Sequence, residues 1–133
     1  MKIEHTAYQV ADPPALARWY VDHLGLSIKR SQDASPFGYF LADEGDAVML
    51  EFYRQPHLPV PDYHAVDPLI LHLAFWADDV RGTRERLLRA GATAVGDVIK
   101  NDQGDEVAML RDPWGLPVQL VRRERAMLAS CRS

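Results

Sequence analysis

The sequence predicts an α+β fold built from two tandem β-α-β-β-β modules. Three observations carry that prediction. A strand-like run centred on a histidine occurs twice, as Ile3-Glu4-His5-Thr6-Ala7-Tyr8 and as Ile70-Leu71-His72-Leu73-Ala74-Phe75-Trp76. Each copy leads into a capped amphipathic segment that ends on a glycine. Each half then closes with three strand-length segments separated by turn residues.

Taken in order, residues 2 to 10 read as a strand, and Asp12-Pro13-Pro14 supplies an N-cap with prolines suited to a first helical turn. Leu16, Trp19, Tyr20 and Leu24 fall on one face of the helix that follows, and Gly25 is placed to end it in a left-handed conformation. Strands are expected over Leu26 to Arg30, Phe37 to Ala42 and Ala47 to Tyr53, with Ser35-Pro36 and Asp43-Glu44-Gly45-Asp46 as turns. Residues 54 to 69 carry four prolines and no sustained period, which predicts an extended connector. The pattern then restarts with a strand over 69 to 76, a cap at Asp78-Asp79, and a helix from Val80 to Ala90. That helix turns Val80, Thr83, Leu87 and Ala90 to one side and stops at Gly91. Strands near 94 to 99, 105 to 111 and 117 to 122 complete the second half, separated by Asn101-Asp102-Gln103-Gly104 and Asp112-Pro113-Trp114-Gly115.

His72 follows His5 by 67 residues, and the same offset carries Ala7 to Ala74, Tyr8 to Phe75 and Asp12 to Asp79. Two copies at so long a period indicate an internal duplication, since a solenoid would need at least three stacked units. A four-stranded half cannot cover its own sheet face, so one domain over 1–133 is expected: module one 1–54, connector 55–68, module two 69–123 and a tail 124–133.

Bulk properties narrow the function. The chain has 133 residues, 47% hydrophobic and 26% charged, with a formal net charge of −4. No basic face for nucleic acid or an anionic membrane is expected, and Arg81, Arg84, Arg86, Arg89 and the run Arg122 to Arg125 read as solvated surface. Met1-Lys2-Ile3-Glu4-His5 lacks the apolar core of a signal peptide, and no apolar run approaches the ~20 residues of a membrane span. A cytoplasmic location is expected. The single cysteine, Cys131, has no second cysteine to pair with.

Either histidine alone would be read as a core residue. The repeat changes that, because each half also offers an oxygen donor at matching distance, Glu51 after His5 and Gln119 after His72. A carboxylate flanked by Met49, Leu50, Phe52 and Tyr53 needs a counter-charge, which a divalent cation supplies. Two imidazoles, one carboxylate and one amide oxygen suit Zn, Ni, Fe, Mn or Co, with positions left for water or substrate. Gln9, Met49, Tyr53 and Trp76 share strand faces with these donors and are expected to line a substrate pocket.

These features resemble the vicinal oxygen chelate superfamily, which includes glyoxalase I, methylmalonyl-CoA epimerase, extradiol dioxygenases and the bleomycin and fosfomycin resistance proteins. The resemblance covers residues 2 to 123. Besides the paired modules and His5 and His72, it rests on Glu51 in Val-Met-Leu-Glu-Phe-Tyr, on Asp79-Val80, on Gly91-Ala92 and on Asp112 to Leu120. It implies sheets forming a curved, partly open mixed-sheet barrel around one cavity, a homodimer, and a small-molecule substrate with vicinal oxygens. It also implies His5, Glu51, His72 and Gln119 as ligands of one divalent metal ion. One departure bears on chemistry: the last position is usually a glutamate that is implicated as the base, and here it is Gln119. The acid stands across the repeat at Glu51, which is therefore expected to act as both ligand and base. A lyase or isomerase of glyoxalase I or epimerase type follows. The alternatives are a non-haem iron extradiol-type dioxygenase using His5, His72 and Glu51, and a metal-free protein that binds a drug.

Overall fold

A computed structural model describes residues 1–131, which comprise two α-helices and eight strands in two four-stranded sheets. The chain divides into two compact units, Met1–Pro61 and the remainder from Asp62. Of the tail, residues 132 and 133 lie outside the described residues. No helix among the described residues is long and apolar enough to cross a membrane.

In the first unit, β1 (His5–Gln9) leads to α1 (Pro13–Leu24), then β2 (Ser27–Ser31), β3 (Tyr39–Ala42) and β4 (Met49–Tyr53). The Asp12 carboxylate caps α1 by accepting from the Ala15 N–H at 3.1 Å, and Gly25 ends it at φ 72°. The sheet order is β1-β4-β3-β2, with β1 and β4 parallel and the other pairs antiparallel. Parallel neighbours need a crossover, which α1 and the β2–β3 hairpin provide. Leu16 and Tyr20 of α1 are buried with Leu41 and Phe52 of the sheet, and the Tyr20 and Phe52 rings lie 5.0 Å apart. The opposite sheet face carries His5, Ala7 and Gln9 of β1 beside Met49, Glu51 and Tyr53 of β4.

The second unit repeats the plan with β5 (Leu73–Trp76), α2 (Val80–Arg89), β6 (Thr93–Lys100), β7 (Glu106–Arg111) and β8 (Pro117–Arg122), in the order β5-β8-β7-β6. Asp79 caps α2 through the Gly82 N–H at 2.9 Å. Gly91, at φ 101°, donates to the Leu88 carbonyl while Ala92 donates to Leu87, the paired bonds of a Schellman motif. Val80 and Leu87 bury against a core that includes Leu110, Val118 and Leu120.

Several expectations need correction. The first strand begins at His5, not residue 2, and Ile3 is exposed. β3 begins at Tyr39 because Phe37 holds φ 54°, and β4 at Met49 after Asp46 at φ 51°; neither angle continues a strand. β5 begins at Leu73 because Asp67-Pro68-Leu69-Ile70 folds into a turn, with Asp67 Oδ1 accepting from the Leu69 N–H at 2.8 Å and its carbonyl from Ile70 at 2.9 Å. Leu69 and Ile70 are therefore exposed, not buried in a strand.

The connector is tied at both ends rather than simply extended. Gln9 accepts from the Gln55 N–H at 2.8 Å and donates to the carbonyls of Gln55 and Leu58. Beyond the unit boundary, Tyr63–Ala65 forms a short 3-10 turn with Tyr63 buried, and the Arg111 guanidinium donates to the carbonyls of Tyr63, Val66 and Gly115. Two arginines expected in solvent are also engaged. Arg84 reaches the Gly96 carbonyl at 3.2 Å, and Arg123 pairs with the buried Asp105 at 2.8 Å.

Asp105 locks the turn after β6 to the chain beyond β8. Its carboxylate takes Arg123 on one oxygen and the Glu124 N–H on the other, and Asn101 closes the turn beneath it. The Arg123 hydrogen bond, then that of Glu124, holds its carboxyl below the usual aspartate value against the opposing effect of burial. Ionised Asp105 therefore stabilises the fold above the unfolded value of about 3.9, and that contribution disappears as pH falls through the lower folded value. Denaturant melts between about pH 5 and pH 2 should show Asp105→Asn less stable at the upper end and with a shallower acid dependence than wild type. At Gly25 nothing lies within 4 Å of an added Cβ, so the cost of Gly25→Ala is that of left-handed backbone alone. Chemical denaturation should read it as about 1 kcal/mol.

Candidate functional site

The parallel register assembles the first half of the predicted site. β1 sets Ala7 opposite Glu51, with His5 opposite Met49 and Gln9 opposite Tyr53. Side chains alternate along a strand, so His5 and Glu51 share the sheet face that α1 leaves open. His5 Nε2 stands 3.4 Å from Glu51 Oε2. Phe40 lies across from Glu51 on β3 and meets the His5 ring edge-on, with centroids 5.6 Å apart. His5 Nδ1 is hydrogen-bonded to the carboxylate of Glu4, which precedes the strand. A depression of about 430 Å³ opens beside the pair, lined by Glu4, His5, Lys29, Arg30, Phe40 and Met49.

The second sheet repeats the register: Ala74 faces Gln119 on β8, and Met109 lies beyond it on β7. His72 immediately precedes β5, and its Nδ1 lies 2.7 Å from the Pro68 carbonyl. A carbonyl only accepts, so Nδ1 carries a proton, and Nε2 is the ring nitrogen left to meet other groups. Pro68 belongs to the turn that displaced the start of β5, so that turn also orients the imidazole.

Both imidazoles thus present Nε2 while an oxygen acceptor holds Nδ1, the arrangement that fixes histidine as a metal ligand. In the first unit the donor spacing also fits an ion. Nitrogen and oxygen bonds of ~2.1 Å at a tetrahedral angle separate two donors by about 3.4 Å. Among the described residues no three His, Cys, Asp or Glu side chains form a ready cluster for an ion.

The remaining predicted residues fall in different settings. Met49 lines the depression. Gln9 is buried, with both ends of its amide engaged by the connector. Tyr53 is half-buried opposite Gln9, and Trp76 donates from Nε1 to Asp78 at 2.8 Å. Glu4, Lys29, Arg30 and Phe40 were not anticipated. Strand alternation would turn Glu4 away from His5, and it escapes that rule only because the strand begins one residue later. Phe40 was legible in principle, since it stands opposite Glu51 once the hairpin is registered.

A duplicated β-α-β-β-β chain with an imidazole at the start of each module and an oxygen donor on its last strand defines a class of proteins. The chain belongs to the Glyoxalase/Bleomycin resistance protein/Dioxygenase superfamily, which it matches over residues 2–120. It is 24% identical over 131 residues to a probable lactoylglutathione lyase of Vibrio cholerae serotype O1, covering 94% of this chain and 93% of that protein. Among solved structures it is similar to SMU.1112c, at 27% identity and TM-score 0.72, over 92% of this chain and 98% of that one. It is also similar in fold to TnmS3, an antibiotic binding protein from Streptomyces sp. CB03234, at 21% identity and TM-score 0.70, over 93% and 97% of the two chains.

The Glu4 hydrogen bond, together with the charges of Glu4 and Glu51, holds the His5 imidazole above its ordinary value, against a smaller pull from lost solvation. Protonated His5 stabilises the fold below the unfolded value of about 6.5, and that contribution is lost as pH rises through the folded value. In chelator-treated protein, Glu4→Gln should bring the His5 titration down toward about 6.5, read from its imidazole C–H resonances. An unchanged titration would show that Glu4 is not what holds the proton.

Proposed function

We propose that the chain is a divalent-metal-dependent lyase or isomerase of glyoxalase I or epimerase type, acting on a small substrate with vicinal oxygens. The ligand set in this reading is His5, Glu51, His72 and Gln119. The observation that carries it is the matched orientation of the two histidines, each with Nδ1 against an oxygen acceptor, and one of them with Nε2 facing a carboxylate. The relative named as a probable lactoylglutathione lyase supports the same class of reaction.

A bound divalent ion would polarise the substrate's vicinal oxygens and so acidify the adjacent C–H. Glu51 supplies the base. It takes the proton from that carbon, the C–H electron pair moves into the enediolate, and the same carboxyl returns the proton to the neighbouring carbon while the hydroxyl proton of the first oxygen passes to the second, leaving a carbonyl where the hydroxyl stood. Glu51 Oε2 faces His5, while Oε1 lies on the side of Gly38, where an added Cβ would be 3.8 Å away. Gln119 is neutral and takes no proton at ordinary pH, so its part is to bind and orient. Neutral His5 is needed as a donor, and Glu4 and Glu51 favour its protonated form, so ion uptake must expel a proton and weaken toward acid pH.

Metal analysis of protein purified without chelator should find one ion per chain, with thermal stability reduced in His5→Ala and His72→Ala. No stoichiometric ion, with both variants as stable as wild type, would sink the proposal and favour a metal-free binding protein. For the moved base, Glu51→Gln should abolish solvent deuterium exchange into a hemithioacetal substrate, with a loss of about 100-fold or more. Gln119→Glu should retain it. Equal activity in the two variants would show that Glu51 is not the base.

A further inference from the structure

β2 contains a feature with no part in the ligand set. Its register against β3 shifts between Ile28 and Arg30: Ile28 pairs with Leu41, Arg30 pairs with Phe40, and Lys29 is the extra residue of a β-bulge. Consecutive strand residues ordinarily point to opposite faces; a bulge re-aims one of them. Here both Lys29 and Arg30 line the depression that holds His5.

The two cations are not equivalent. Lys29 Nζ is paired with Asp46 at 2.6 Å, whereas Arg30 makes no salt bridge among the described residues. Its guanidinium carbon lies 5.5 Å from the centroid of the Phe40 ring, a cation–π contact that orders the side chain without occupying its N–H groups. Phe40 also meets His5, at 5.6 Å, so Arg30 lies on the same open face as His5 and at most about 11 Å from its ring. The negative groups nearby are engaged elsewhere: Glu4 and Glu51 gather on His5, and Asp46 on Lys29. A planar guanidinium with free N–H groups, ordered on an aromatic face, is suited to bidentate binding of an oxyanion.

We propose that the bulge at Lys29 and Arg30 builds an anion subsite, and that Arg30 there binds a carboxylate or phosphate carried by the substrate away from its reacting oxygens. Its role as a substrate subsite rests on His5 and Glu51 forming the reacting centre. The binding itself needs no metal, so chelator-treated protein tests it separately from the reaction.

Isotope-labelled, chelator-treated protein is titrated with inorganic phosphate and, in a second arm, with acetate, ionic strength being held constant with sodium chloride. Backbone amide and Arg30 Nε–H resonances report binding. Saturable shifts should cluster at residues 28–31 and 39–41. Arg30→Gln should weaken the tighter arm about tenfold or more, as expected on losing a charge-assisted contact. Arg30→Lys should recover part of it, and Arg122→Gln on the other unit should change nothing. The tighter arm assigns the substrate's anionic group. Shifts spread over all basic residues, or an affinity unchanged in a well-dispersed Arg30→Gln spectrum, would overturn the subsite while leaving the metal-dependent reaction standing.

Discussion

Everything in each unit depends on one backbone constraint, the parallel pairing of its first strand with its last. Parallel strands cannot be joined by a tight turn, so the chain must leave the sheet and return, and helix and hairpin are that excursion. Once the pair forms, the register is held by burial. Leu41 and Phe52 of the first unit are fully buried with Leu16 and Tyr20, and burying each such side chain stabilises by about 1.5–3 kcal/mol. A slip of one residue would turn them to solvent and send Glu51 into the helix-covered core. The apolar face thus sets where the polar one lies.

On the polar face of the first unit the chemistry is a contest over one imidazole. Glu4 and Glu51 both favour protonated His5, whereas the proposed metal ion would need it neutral. The Glu4 hydrogen bond serves either state: it steadies the imidazolium, and it holds Nδ1–H so that Nε2 faces Glu51. In the second unit a neutral carbonyl does the orienting and Gln119 stands where the first unit has an acid, so the duplicated frame carries unequal charges.

The chain's own signals made most of this architecture legible. Capping carboxylates at Asp12 and Asp79, left-handed glycines at Gly25 and Gly91, and turns at Asn101-Asp102-Gln103-Gly104 and Asp112-Pro113-Trp114-Gly115 act over a few residues, and they stand where local chemistry requires. Alternation grouped His5 with Ala7 and Gln9, and Glu51 with Met49 and Tyr53, and the β1–β4 register then set both groups on one face. Strand beginnings were less legible. Leu69 and Ile70 have strand composition, yet the Asp67-Pro68 turn claims their backbone N–H groups, and an available side-chain acceptor outweighs propensity. Arg84 and Arg123 resembled every other surface arginine until their acceptors were in place.

By itself, then, the sequence determined the duplication, the order of elements and which residues share a face within each strand, because periodicity, capping and turn preference are local. Only the tertiary structure decided what those residues meet. Gln9 became a clasp on the connector because Gln55 and Leu58 returned beside it. Glu4 became the partner of His5 because the strand begins only at His5, leaving Glu4 outside its alternation. Lys29 and Arg30 came to line one depression because a bulge interrupted the alternation. Each outcome depends on where a distant segment runs, and contacts between distant segments are formed by packing.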